Sequence, residues 1–185
     1  MRIVVAVTGG IAAYKVPDLI NGLKNAVADE GNPFPEVYII TTEDALKFMT
    51  KLTLETSADR YVDSPSMFYE GKVHPSHILL SEISNMFIVV PATANIIGKI
   101  ANGIADDLVT DTAIALPDST VKIICPAMNT RMWENKAFQR NLAQLKEDEW
   151  QVVKPVKGML ACGTEGMGKL PSTRALVKSV LEMRN

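Results

Sequence analysis

The chain has 185 residues, of which 47% are hydrophobic and 22% are charged, and its formal net charge is −2. This composition predicts a globular domain with a substantial core, and the lack of a basic excess argues against a nucleic-acid-binding surface. The apolar runs at residues 3–7 and 87–90 are too short to cross a bilayer, and the N-terminus does not resemble a signal peptide. With two cysteines and no zinc-type spacing, we expect a cytoplasmic protein without a metal site.

Strands and helices are predicted to alternate along the chain. Val and Ile are dense in residues 2–7, as in a parallel strand with both faces buried. Pro17 should bend the helix that follows, and Ser172 can cap the last helix. In chain order, the pattern predicts a strand at 2–7, a helix at 11–28, a strand at 36–41, helices at 43–50 and 77–84, a strand at 87–90, helices on both sides of Gly103, a strand at 122–125, a helix at 134–146, a strand at 151–153 and a helix at 173–183.

This order of elements predicts the fold class. Alternating strands and helices form a mainly parallel sheet with right-handed crossovers and helices on both faces, which is a three-layer α/β fold. No repeat or linker divides residues 1–185, so we expect a single domain. Residues 59–75 show no clear period. Residues 155–171 are rich in glycine, and a loop of this length is usually either functional or disordered.

Asn129 is the first candidate for a functional residue. It follows the apolar run at residues 121–125, which ends at Pro126. An amide at the carboxyl end of a buried strand lies where open α/β sheets bind ligands, and it can donate a hydrogen bond to a carboxylate. Asn is also a preferred helix N-cap. These residues alone leave both interpretations open.

Five segments carry a resemblance to one protein family. Residues 126–133 closely resemble the PxMNxxMW signature of the flavin-containing cysteine decarboxylases. Four further segments fit the same family in the expected order: residues 8–15, residues 77–80, residues 91–95 running into 101–108, and residues 161–163. A glycine turn alone would be a weak signal, whereas five ordered segments are a specific one. The resemblance covers nearly the whole chain and implies a Rossmann-like fold of the flavoprotein type.

The resemblance implies flavin mononucleotide (FMN) as the cofactor. Two glycines after the first strand let the backbone approach an anion, although a plain tight turn is the commoner reason for such glycines when they are taken alone. The third glycine of the dinucleotide fingerprint is missing, which favours a mononucleotide. Family members usually carry a small neutral residue at the Asp44 position, so a carboxylate there weakens this flavin contact, and a helix cap is the alternative role. Tyr14 and Lys15 lie in the matched turn and helix, but helix surface is an alternative for both. The residues expected at the flavin are Gly9, Gly10, Ile11, Thr42, Asp44, Thr93, Ala94, Asn95 and Ala127.

The resemblance also implies a reaction. The family members most similar in motif order convert 4′-phosphopantothenoylcysteine to 4′-phosphopantetheine and carbon dioxide in coenzyme A biosynthesis. A simple carboxylate loses carbon dioxide slowly because the carbanion has no electron sink. The flavin takes two electrons from the thiol-bearing carbon and later returns them, so it provides that sink without an external oxidant.

Three catalytic residues follow from the resemblance. His77 matches the acid–base histidine of the oxidative half-reaction, and His74 is a rival outside the motif. Asn129 would bind the departing carboxylate. Cys162 would protonate the reduced intermediate, whereas Cys125 resembles a buried strand residue. The residues expected at the substrate are Asn129, Met128, Ala161 and Lys169, and Lys169 stands where the family usually has arginine.

Three other functions are weighed against this one. A lantibiotic-type peptidyl-cysteine decarboxylase would stop at the unsaturated product and would lack Cys162. A flavin-binding regulatory subunit would typically lose an active-site residue and gain acidic extensions. A flavin prenyltransferase would not be expected to carry the PxMNxxMW segment. The resemblance further implies a homotrimer or dodecamer with sites shared between subunits. Because 185 residues leave no room for the ligase domain that many bacterial homologues carry, we expect a monofunctional protein.

Overall fold

The computed structural model describes residues 1–184, within which strands and helices alternate as the sequence predicts. Two 3-10 helices span Ile11–Lys15 and Glu43–Lys47. None of the helices in this part of the chain is long and apolar enough to cross a membrane. The strands are β1 (Arg2–Val7), β2 (Glu36–Thr41), β3 (Arg60–Tyr61), β4 (Ser66–Tyr69), β5 (Lys72–Pro75), β6 (Met86–Ala92), β7 (Val121–Pro126), β8 (Gln151–Val152), β9 (Val156–Met159) and β10 (Glu165–Lys169). The α-helices are α1 (Val16–Asp29), α2 (Lys51–Ser57), α3 (Ser76–Ile83), α4 (Ala94–Ala101), α5 (Leu108–Ile114), α6 (Thr130–Trp133), α7 (Lys136–Glu147) and α8 (Thr173–Glu182).

Six strands form one parallel sheet in the order β3-β2-β1-β6-β7-β8. In its centre, Val5 of β1 pairs with Ile39 of β2 on one side and Ile88 of β6 on the other. The chain moves outward from β1 to β3 and then returns to the other side of β1 at β6. The carboxyl ends of β1 and β6 therefore flank the switch point, which is where open α/β sheets bind ligands.

The side chains of β1 alternate between two cores. Ile3, Val5 and Val7 pack with residues of α1 and α8 on one face of the sheet. Val4 and Ala6 pack with residues of α4, α5 and α7 on the other face. All five side chains are fully buried, which explains why this strand shows a continuous apolar run rather than an alternating one. The predicted single-domain, three-layer Rossmann-like fold is confirmed.

Pro17 begins a helix instead of bending one, so the prediction of a single bent helix at residues 11–28 is wrong. The 3-10 helix Ile11–Lys15 comes first, and Pro17 then lies in the first turn of α1. An N–H at that position has no intrahelical acceptor, so proline is tolerated there. The predicted helix at 43–50 is likewise a 3-10 helix, and it ends at Lys47. Thr50 caps the next helix, α2, because its hydroxyl accepts a hydrogen bond from the N–H of Thr53.

Asn135 begins the helix predicted at residues 134–146, which the structure places at Lys136–Glu147. Its side-chain oxygen accepts a hydrogen bond of 2.9 Å from the N–H of Ala137, so it caps α7 and separates it from the short helix α6. Asn and Asp compete well for backbone N–H groups at such positions. The result is a sharp turn immediately after Trp133, which leaves α6 close to the end of β7.

Two antiparallel hairpins lie outside the main sheet. Strands β4 and β5 form the first, within the segment that showed no clear period. Strands β9 and β10 form the second, so the glycine-rich segment 155–171, which the sequence predicts as a loop, contains two short strands joined by a turn at residues 160–164. Pairing in this hairpin is irregular between Met167 and Lys169, where Gly168 has a φ of +126°. That backbone conformation strongly favours glycine.

Candidate active site

A cavity of about 520 Å³ opens at the switch point of the sheet, beside the carboxyl ends of β1 and β6. Its walls come from the turn after β1, the start of α4, the segment after β7 and the β9–β10 hairpin. Most of the residues predicted for flavin or substrate line it together: Gly9, Gly10, Ile11, Thr93, Ala94, Ala127, Met128, Asn129, Ala161, Cys162 and Lys169. Residues distant in sequence therefore converge on one site.

The glycine turn forms the floor of the cavity next to β1. A Cβ atom on Gly9 would lie 2.6 Å from the Cβ of Asp44, so no larger residue fits there without movement. The hydroxyl of Thr8 donates to the carbonyl of Pro91 (2.6 Å) and accepts from the N–H of Thr93 (3.2 Å). These two hydrogen bonds fix the ends of β1 and β6 relative to each other, and thus the two sides of the cavity.

The β9–β10 hairpin is attached to the segment after β7. The N–H of Met128 donates to the carbonyl of Gly168 (3.0 Å), and the hydroxyl of Thr130 donates to the carbonyl of Met167 (2.8 Å). A Cβ atom added to Gly168 would overlap the carbonyl oxygen of Met128. Only glycine therefore allows the hairpin to lie this close to Asn129.

Asn129 has the two features that the sequence left open. Its side-chain oxygen accepts from the N–H of Arg131 (2.9 Å), so it caps α6. Its Nδ2 donates to the Sγ of Cys162, 3.1 Å away on the hairpin. Because the cap uses the oxygen, the amide N–H groups remain directed at the cavity and at the thiol.

The two cysteines have opposite surroundings. Hydrogen bonds from the side chain and the backbone of Thr164, and then from Asn129, lower the pKa of the exposed Cys162 thiol. Burial raises the pKa of Cys125, which is fully enclosed in the sheet. The thiol of Cys162 is thus the more acidic of the two, as a proton donor at the cavity requires.

Lys15 lines the cavity, whereas its sequence position alone also allows it to lie on the helix surface. Its Nζ donates to the carbonyls of Leu170 (3.1 Å) and Pro171 (2.8 Å), just beyond β10. Burial, followed by the positive charge of Lys169, lowers the pKa of Lys15. Lys15 therefore ties the end of the hairpin to the 3-10 helix after β1. Both hydrogen bonds join residues that are far apart in the sequence, so no local sequence pattern predicts this contact.

Four of the predicted site residues do not line this cavity. Thr42 has a buried hydroxyl without a hydrogen-bond partner in the described chain. Asp44 forms an ion pair with Lys47 on the exposed surface of its 3-10 helix. Asn95 is exposed on α4, and His77 is half-buried in the first turn of α3. The structure of one chain therefore brings Cys162 and Asn129 together but leaves His77 outside their cavity.

Comparison with known proteins agrees with this architecture. The family described as Flavoprotein matches residues 1–185. A probable phosphopantothenoylcysteine decarboxylase of Streptococcus mutans is 35% identical over 181 residues, which are 98% of this chain and 97% of the relative. The phosphopantothenoylcysteine decarboxylase of Mus musculus is 32% identical over 179 residues, with 97% and 85% covered. The coenzyme A biosynthesis bifunctional protein CoaBC of Bacillus subtilis is 37% identical over 178 residues, which are 96% of this chain and only 41% of that longer protein.

Two solved structures have the same fold. A mutant PPC decarboxylase complexed with pantothenoylaminoethenethiol superposes with a TM-score of 0.83 at 29% identity, covering 98% of this chain and 96% of that one. The FMN-binding protein AtHal3 superposes with a TM-score of 0.80 at 30% identity, covering 98% and 95%. The resemblance that the five sequence segments indicated is thereby confirmed. The chain belongs to the flavoprotein family that includes these phosphopantothenoylcysteine decarboxylases.

Proposed function

We propose that this protein decarboxylates 4′-phosphopantothenoylcysteine to 4′-phosphopantetheine and carbon dioxide in coenzyme A biosynthesis, with FMN as its cofactor. One observation carries the proposal: Nδ2 of Asn129 lies 3.1 Å from Sγ of Cys162 in a cavity at the switch point of the sheet. A carboxylate-binding amide and a thiol proton donor are the two groups that this reaction needs at one place. The names of the full-length relatives support the same substrate.

The cavity has the features that a flavin mononucleotide requires. Its volume of about 520 Å³ lies within the range of small-molecule sites. The turn at Gly9 and Gly10 offers bare backbone beside the first N–H groups of a helix, which lack intrahelical partners and suit a phosphate. Ala94 and Ala127 provide small apolar walls for a flat ring. When bound, the flavin supplies a reversible two-electron oxidation of the thiol-bearing carbon. The unpartnered hydroxyl of Thr42 stays a predicted flavin contact, as do Asp44 and Asn95.

Asn129 and Cys162 would act on the two ends of the same carbon–carbon bond. The amide N–H groups of Asn129 would hold the carboxylate before it leaves, without adding a positive charge that would stabilise it against departure. The thiol of Cys162 would then give its proton to the carbon that lost the carboxyl group. Met128 and Ala161 line the same part of the cavity and would contact the substrate.

Lys15 and Lys169 make the hairpin side of the cavity positive. Neither lysine forms an ion pair with a carboxylate within residues 1–184. A phosphate monoester on the substrate would provide the missing negative charge. Lys169 is exposed and would contact the phosphate directly, whereas Lys15 is held by two carbonyls and would act through its charge.

A homotrimer or a larger assembly of trimers would bring His77 to the site. The cavity mouth is lined by exposed apolar side chains, with Ile11 58%, Tyr14 60% and Met159 61% exposed. A second exposed apolar surface lies on the β4–β5 hairpin just before His77, where the paired residues Phe68 and Val73 are 69% and 71% exposed. Two different surfaces that cover each other form a head-to-tail contact, which closes into a ring. His77 of one subunit would then serve the cavity of the next.

The peptidyl-cysteine decarboxylase is the less favoured alternative. Such an enzyme releases an unsaturated product and needs no proton donor for a reductive step, whereas Cys162 is held in the cavity by Asn129. We further expect the protein in the cytoplasm, because Cys162 must stay reduced to donate its proton and cytoplasmic thiols are kept reduced.

Carbon dioxide release from synthetic 4′-phosphopantothenoylcysteine tests this function. Protein loaded with FMN should release carbon dioxide, and flavin-free protein should not. The S-methyl ether of the same substrate is the matched control, because a blocked thiol cannot be oxidised to a thiocarbonyl. Equal release from the thiol and the thioether would overturn the proposed chemistry.

A further inference from the structure

The turn between β9 and β10 places Thr164 next to Cys162. The N–H of Gly163 donates to the carbonyl of Leu160, and the N–H of Leu160 donates to the carbonyl of Thr164, both at 2.9 Å. Gly163 has a φ of +78°, a left-handed conformation that reverses the chain direction at the tip. The closed turn brings the hydroxyl of Thr164 back to 3.1 Å from Sγ of Cys162.

Cys162 is therefore held between two side chains. Nδ2 of Asn129 contacts the sulfur from the sheet side, and Oγ1 of Thr164 contacts it from within the hairpin, each at 3.1 Å. The side chain of Cys162 is otherwise exposed, so these two side-chain contacts, together with a hydrogen bond from the backbone of Thr164, fix its rotamer. Both partners are uncharged, so neither places a cation beside the bound carboxylate.

The two partners differ in what they can do for a sulfur atom. The amide N–H of Asn129 can only donate, so it stabilises the thiolate and cannot orient the S–H proton. A hydroxyl both donates and accepts. Thr164 can accept from the thiol while Cys162 is protonated, and it can donate to the thiolate after the proton has left. It keeps one hydrogen bond to the sulfur in both states.

We propose that Thr164 is a positioning residue that acts through Cys162, holding the thiol toward Asn129 and stabilising the thiolate formed when the proton is transferred. In this step the S–H bond breaks, a C–H bond forms at the carbon that lost its carboxyl group, and the sulfur keeps the electron pair. Water later reprotonates the thiolate. The catalytic consequence rests on the function proposed above, whereas the contact itself does not.

Alkylation of Cys162 by iodoacetamide, measured against pH, tests the contact without substrate. The thiolate is the reacting form, so the midpoint of the rate profile reports the pKa of the thiol. In Thr164→Val, which keeps the branched shape but has no hydroxyl, the midpoint should move to higher pH. A shift of half a unit to one unit slows alkylation near neutral pH by about three- to tenfold. Thr164→Ser should restore the wild-type profile. Cys162→Ala is the blank, since Cys125 is buried.

Single-turnover assays extend the test to catalysis. Thr164→Val should release carbon dioxide at the wild-type rate but accumulate the unsaturated aminoenethiol, and Thr164→Ser should not accumulate it. A Thr164→Val profile with the wild-type midpoint would overturn the inference. Wild-type protein that alkylates as expected but releases no carbon dioxide would overturn the proposed function, while the alkylation profiles would still decide the role of Thr164.

Discussion

Mixed assemblies of two inactive variants should regain activity if sites are shared between subunits. His77 lies outside the cavity that contains Cys162 and Asn129, although the proposed reaction needs an acid–base group there. We expect His77→Asn and Cys162→Ala each to fold, to bind FMN and to form no saturated product over repeated turnovers when expressed alone. Co-expressing them with different affinity tags and purifying on both tags in turn gives assemblies that contain both kinds of subunit.

The expected activity follows from the geometry of a ring. An active site needs the native Cys162 of the subunit that forms the cavity, which is the His77→Asn subunit. It also needs the native His77 of the neighbour, which is the Cys162→Ala subunit. With random assembly from equal amounts, each condition is met half the time, so about a quarter of all sites should be active. Tandem purification removes the single-variant rings and raises this fraction to about a third for trimers.

The readout is steady-state formation of saturated 4′-phosphopantetheine per bound flavin, because a cavity that lacks only Cys162 can still release one carbon dioxide before it stalls. Assemblies that combine Cys162→Ala with Asn129→Ala are the matched control, because both residues belong to the same cavity and no mixed site is then complete. Activity in the His77→Asn mixture at the level of this control would refute the shared site. His77 would then have to act within its own chain or not at all.

Three other predictions concern residues of the cavity and the hairpin. Cys162→Ser should still release carbon dioxide but leave the flavin reduced, with a product two hydrogens lighter than the aminothiol, because a hydroxyl is a far weaker acid than a thiol. Mass spectrometry that shows saturated product formed at the wild-type rate would contradict this. Lys169→Gln should raise the KM for the phosphorylated substrate severalfold. The KM for pantothenoylcysteine, which lacks the phosphate, should stay nearly unchanged, and an equal change in both KM values would place the lysine away from the phosphate. Gly168→Ala should destabilise the fold by about 1–3 kcal/mol, since it adds strain at a φ of +126° and an overlap with Met128. Gly163→Ala should lower the free energy of unfolding, measured in urea, by less than Gly168→Ala does, because a Cβ at Gly163 meets nothing within 4 Å. Equal losses would show that the overlap between a Cβ at Gly168 and Met128 relaxes freely.

The central sheet could be predicted because its signals are local. Residues 2–7 are apolar at every position, and both faces of that strand are indeed buried. The glycine turn and the segment after β7 follow strands directly, so their place at the carboxyl edge follows from a parallel sheet alone. The Asn129 cap could likewise be foreseen, since the pattern of cap and helix lies within three residues.

The hairpin at residues 155–171 could not be predicted for a physical reason. Its strands are four and five residues long, mostly exposed and rich in glycine, so they show no apolar alternation. Contacts from Met128 and Thr130, distant in sequence, hold the hairpin in place. The effect of Pro17 depends on where the helix begins, because proline bends a helix from its interior but is tolerated in its first turn. The presence of a proline does not by itself predict which case applies.

The position of His77 relative to the cavity depends on residues distant in sequence. Its motif matches the family, yet its distance from the cavity of its own chain depends on how the β4–β5 hairpin and α3 pack. The cavity that it would serve in the proposed assembly belongs to a second subunit. The contact of Lys15 with Leu170 and Pro171 spans the length of the chain in the same way. Such contacts arise from tertiary packing, which no local sequence pattern encodes.

The identity and amount of the product formed from 4′-phosphopantothenoylcysteine test the central claim most directly. FMN-loaded protein, mixed with an excess of substrate and no external oxidant, should form one molecule of saturated 4′-phosphopantetheine for each carbon dioxide released, over many turnovers. The flavin should be oxidised again when the substrate is exhausted. Mass spectra that show only unchanged substrate, or only the unsaturated aminoenethiol with turnover stopping at one per flavin, would contradict the account.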